Sequence, residues 1–94
     1  MKKLKEYKFK AKNPNESKEA FTLFSKLGYK PDFEYKFPLA PYIYANENGR
    51  LGYDWFDAEG TDKSDPHSAE GYFISNSATL VDIQQLRSIA GAEA

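Results

Sequence analysis

The residues able to do chemistry are crowded into one polar stretch. Residues 57–69 read Asp-Ala-Glu-Gly-Thr-Asp-Lys-Ser-Asp-Pro-His-Ser-Ala. Asp57, Glu59, Asp62 and Asp65 are oxygen donors of the kind that Ca²⁺ and Mg²⁺ take. The spacing departs from an EF-hand loop. Its twelfth position counted from Asp57 is Ser68 rather than a bidentate Glu, and Gly60 follows Glu59 at once. His67 is the one histidine and is a general base by type. There is no cysteine for it to activate, and Ser64 and Ser68 lie too close in sequence to argue a triad. Asp54 and Asp57 are the nearest pair for glycoside chemistry, which needs two acids held in a cleft. No phosphate-cradling Gly-rich loop, dinucleotide fingerprint or zinc spacing occurs. The sequence therefore predicts no catalytic residue, no metal and no cofactor, and reads residues 57–69 as a solvated surface loop. An enzyme using His67 and the loop acids is the reading this sets aside.

Bulk composition narrows the function classes further. The net charge is -1 over 94 residues. That near balance argues against an acidic nucleic-acid mimic and against a generally basic nucleic-acid binder. The absence of cysteine removes disulfide frameworks, thiolate zinc sites and thiol catalysis together. Met1-Lys2-Lys3-Leu4-Lys5 opens like a signal n-region, but no apolar h-region follows. No apolar run approaches the roughly 20 residues of a membrane span. A cytoplasmic protein without membrane contact is expected. Aromatic residues make up 16% of the chain. One small core does not hide so many rings, so some should reach the surface and favour a protein partner, a ligand or a second copy of the chain.

The elements that must position these groups follow from periodicity. Residues 4–12 alternate, with Tyr7, Phe9 and Ala11 on one side and Lys8, Lys10 and Lys12 on a wet side, as in an edge strand. Asn13-Pro14-Asn15-Glu16 starts a helix that ends at Gly28. Ala20, Phe21, Leu23, Phe24 and Leu27 give that helix its apolar side. A turn at residues 28–31 and a second alternating strand at residues 32–37 come next. Residues 41–56 form a hairpin turning at Asn48-Gly49, the strongest turn signal in the chain. Tyr42 and Tyr44 fall on one face of it, Ile43 and Ala45 on the other, so both faces should be covered. Gly52 suggests a bulge or a close backbone approach. Residues 70–75 read as a last strand. A final helix is expected from Thr79, with Asp82 completing a capping box and Gly91 as its stop. Leu80, Ile83, Leu86 and Ile89, or Val81 with Ala90, supply its stripe. The predicted fold is α+β: a single small domain with a mostly antiparallel twisted sheet of four to five strands packed with two helices.

The order of motifs resembles small uncharacterised bacteriophage accessory proteins. The likeness is carried by Asn-Glu-Ser-Lys-Glu-Ala-Phe-Thr-Leu-Phe-Ser-Lys-Leu-Gly-Tyr at residues 15–29, by the Pro-Tyr-Ile-Tyr strand and Gly-containing hairpin of residues 41–53, and by Thr-Leu-Val-Asp-Ile at residues 79–83. The resemblance implies a compact protein made in an infected bacterium that inhibits or redirects a host factor, such as a defence component. It carries over no catalytic residue. Binding would be anchored by Tyr42, Tyr44, Tyr53 and Trp55, with Lys8 and Lys10 beside them. The alternative is an oligomer sequestering a small molecule or nucleotide at an aromatic-lined interface.

Overall fold

The computed structural model describes residues 4–31 and 40–93. The predicted strand at residues 32–37 lies outside them. Strand β1 is Tyr7–Lys10, helix α1 Pro14–Lys26, strand β2 Lys30–Pro31, strand β3 Tyr42–Ala45 and strand β4 Arg50–Asp54. Helix α2 is Ala69–Ser75, strand β5 Thr79–Leu80 and helix α3 Ile83–Glu93. The five strands form one sheet in the order β2-β4-β3-β1-β5. The central pairs β1/β3 and β3/β4 are antiparallel. The two-residue outer strands β2 and β5 run parallel to their neighbours.

Local chemistry accounts for the two elements that organise this sheet. At the start of α1, Asn13 Oδ1 accepts from Glu16 N at 2.9 Å, and Glu16 Oε1 accepts from Lys12 N at 3.2 Å. The carboxylate thus reaches one residue further back than a standard capping box. Gly28, at φ +102°, takes the left-handed conformation that ends the helix. In the hairpin, Asn46 Oδ1 accepts from Asn48 N and Arg50 N, and Gly49 reverses the chain at φ +81°. The register then sets Tyr44 opposite Gly52 and Ile43 opposite Tyr53.

The main core lies on one side of the sheet. Phe9, Ile43 and Leu51 from the strands meet Phe24 of α1 and Leu86 of α3, with Tyr7, Tyr29, Ala20 and Val81 around them. Phe24 and Tyr29 meet edge to face at 5.6 Å. Rings of this size bury roughly 150–250 Å² each, so a few of them suffice for a small core. Arg87 of α3 grips Glu19 of α1 with two nitrogens, one of them Nη2 at 2.8 Å from Oε1.

Four expectations change. Residues 70–75, predicted as a strand, lie in α2, which gives three helices among the described residues rather than two. Ser68 caps this helix, and Ala69 and Phe73, four apart, form its buried face. That period overrides the β preference of Tyr72-Phe73-Ile74. Thr79 begins β5, not the last helix. The capping box is Asp82 with Gln85, whose side chains and amides bond reciprocally at 2.8 and 2.9 Å, and the helix runs past Gly91. Strand β1 is interior, between β3 and β5, and not an edge. Gly52 sits in a regular ladder, so it marks neither a bulge nor a close approach.

Candidate functional site

Helix α2 covers the other side of the sheet, and four of the six side chains named from the sequence, Tyr42, Tyr44, Lys8 and Lys10, lie there. Lys8 is only 8% exposed, so this lysine does not belong to a wet strand face. Its Nζ donates to the carbonyls of Phe73, Ile74 and Asn76 at 2.6, 3.3 and 2.8 Å. Those carbonyls close the C-terminal end of α2, where a helix presents unpaired acceptors and partial negative charge. The ammonium also lies 5.0 Å from the Phe73 ring centre. Lys10, more open, pairs with Glu70 at 3.5 Å and lies over the Tyr42 ring at 5.6 Å.

The polar loop is fastened to the opposite end of the same helix. Asp57 accepts from Ala69 N at 2.5 Å and from Glu70 N at 3.1 Å, and Ser68 Oγ accepts from Gly71 N at 2.9 Å. Asp62 accepts from the Ser64 amide and hydroxyl, and these bonds hold its carboxyl below the usual range. Asp65 accepts from His67 N at 2.8 Å. Three of the four candidate metal ligands therefore spend oxygens on backbone amides, Asp57 on those of α2 and Asp62 and Asp65 on those of the loop. Among the described residues no three His or acidic side chains converge on a metal-sized point. Gly71 is the tight contact of this arrangement. A Cβ there would lie 2.0 Å from the Asp65 carbonyl oxygen.

Between sheet and helix runs a row of five rings. Phe56 meets Tyr42 at 6.3 Å, Tyr42 meets Phe73 at 5.3 Å, Phe73 meets Tyr44 at 6.1 Å and Tyr44 meets Tyr72 at 5.3 Å. The middle of the row is buried. Its ends emerge, with Phe56 70% and Tyr72 49% exposed. Burial is the main cause pushing the Tyr42 and Tyr44 phenols upward, and for both the charge of Asp54 adds to it.

The six residues expected to bind are thus divided. Tyr42, Tyr44, Lys8 and Lys10 lie together on the α2 side, where Tyr42 and Lys8 are internal. Tyr53 packs against the main core on the other side, and Trp55 meets its ring edge to face at 6.3 Å. Sequence reasoning did not single out Phe56, Tyr72 or Ile74. The signal for the last two was the i, i+4 pair Ala69 and Phe73, which turns Tyr72 and Ile74 outward once the segment is helical.

Beyond Tyr72 opens a groove of about 310 Å³, bordered by Glu6, Tyr44, Asn46, Gly52, Tyr72 and Asn76. Lys8, Tyr44 and Gly52 stand in register across β1, β3 and β4. Helix α2 covers the first, half-covers the second and leaves the third open.

No family model, curated protein or solved structure matches this chain. Among the described residues no helix is long and apolar enough to cross a membrane.

Proposed function

We propose that this protein works by binding rather than catalysis: a phage-type accessory protein that occupies the surface of a host protein, such as a defence component, and inhibits or redirects it. The observation that carries this reading is the set of large apolar side chains left at the surface. Phe56 and Ile74 are 70% and 69% exposed, and Trp55 and Tyr72 about half. Aromatic side chains held out by a rigid support are the usual anchors of protein interfaces. The support here is firm, because Phe56 and Tyr72 end a row whose middle is packed. The loop acids also favour binding over catalysis, since they are used to close turns and cap α2. The phage setting rests on the motif order of residues 15–29, 41–53 and 79–83.

Affinity capture from bacterial extract tests this, with the wild type beside a Phe56→Ser, Tyr72→Ser double variant. One protein retained in stoichiometric amount by the wild type and lost by the folded double variant is the expected result. Retention of nothing, or equal retention by both, counts against it. A dimer carrying extra non-protein mass in a native mass spectrum would favour sequestration of a small ligand instead.

A further inference from the structure

The groove beside Tyr72 has features that ordinary packing does not require. Gly52 is in mid-strand, where glycine weakens a sheet. Its φ is not positive, and a Cβ there would meet nothing within 4 Å. Neither backbone conformation nor crowding demands glycine, yet any larger side chain on this face would fill the groove. Tyr44, part of the wall, has a hydroxyl shut off from solvent that makes no hydrogen bond among the described residues. A buried polar group without a partner is costly.

The electrostatics define what the groove would take. Glu6 is exposed at the rim, and among the described residues its carboxylate makes no ion pair. Asp54 is near enough that its charge helps hold the Tyr44 phenol in its neutral form. The nearest lysine in register, Lys8, is already taken up by three carbonyls. The side-chain oxygens of Asn46 and Asn76 are also taken, by backbone amides. The groove therefore offers a carboxylate with no ion pair among the described residues and the half-exposed ring of Tyr72. A flat cation with several N–H donors matches both, because it can stack on the ring while donating to the carboxylate.

We propose that this groove receives the guanidinium of an arginine side chain presented by a protein partner. The assignment rests on the protein-binding reading and names its anchor. A volume of about 310 Å³ accommodates one long side chain. Planarity favours arginine over lysine, whose ammonium is a point charge that cannot stack.

The test is an amide NMR titration of the whole chain with N-acetyl-arginine methylamide, beside its lysine and citrulline counterparts. Expected are saturable shifts at Ala45, Gly52 and Tyr72 with the arginine compound, weaker ones with lysine and none with uncharged citrulline. Glu6→Gln should weaken binding up to about fivefold, the range for an exposed ion pair. Gly52→Val should abolish it while leaving the melting temperature unchanged or higher. Absence of saturable shifts, equal binding of citrulline or lysine, or undiminished binding by folded Gly52→Val would each overturn the assignment. No partner is needed in this titration. A silent groove with intact protein capture therefore sinks this inference alone, and shifts without any captured protein sink the wider reading alone.

Discussion

Phe9 and Lys8 are neighbours in one strand and point to opposite sides of the sheet. Phe9 joins Phe24, Ile43 and Leu86 in a cluster built from apolar side chains. Lys8 enters a layer joined by directed contacts: an ammonium on three carbonyls, a carboxylate on two amides, and a row of rings with a small cluster of Tyr42, Ala69 and Phe73. Both sides are covered by helix, but by different means. The first is closed by area, which is tolerant of direction. The second is closed by geometry, which holds α2 at one setting and leaves the sheet uncovered beyond it. The groove and the exposed ring ends belong to the second side for that reason.

Substitutions on each side should separate the two. Phe24→Ala is expected to have the largest effect, about 3–5 kcal/mol, and to abolish the signals of both sides together in a denaturant melt. Gly71→Ala should cost about 3 kcal/mol, because the new methyl meets a backbone oxygen that cannot give way cheaply. Its loss should be confined to α2, seen as faster amide exchange at Phe73 and Ile74 while Leu86 stays protected. Equal loss at Leu86 would show that the two sides are one cooperative unit. Lys8→Met should cost about 1–2 kcal/mol, since three carbonyls lose their donor, and again loosen α2 first.

The smallest effect is one of pH and involves a phenol on the apolar side. Burial raises the Tyr29 pKa from 10.0 to about 12, and its hydroxyl donates to the Lys5 carbonyl. The folded chain thus keeps a proton that the unfolded chain releases. Its contribution is fully present below pH 10.0 and is lost as the pH rises through about 12. Tyr29→Phe should flatten that alkaline limb, measured by denaturation at stepped pH. An unchanged limb would assign alkaline sensitivity to the phenols of the α2 side.

Much of the apolar side was legible in the sequence. The Asn13-Pro14 start, the 3.6-residue period of α1 and the Asn48-Gly49 turn are local signals, and each produced the element expected. The α2 side was harder because its determinants are distant. Nothing near Lys8 in the sequence announces carbonyl partners 65 to 68 residues away. Residues 70–75 carry β-prone rings, and the helix is decided by Asp57 and Ser68 closing its first turn. The groove left one visible trace, a glycine in mid-strand opposite Tyr44, whose meaning depended on how far α2 extends.

The placement of β1 has a consequence for the order of assembly. Its partner β3 belongs to a hairpin of short sequence range, whereas β5 joins it from residues 79–80. Contacts of long range form late and slow the search. In pulse-labelled refolding, the amides of Ile43 and Gly52 should become protected before those of Thr79 and Val81. The first strand of the chain would then be the last to gain its second neighbour. Until it does, the main-chain carbonyls of Glu6 and Lys8 on that side remain open to pairing with another molecule.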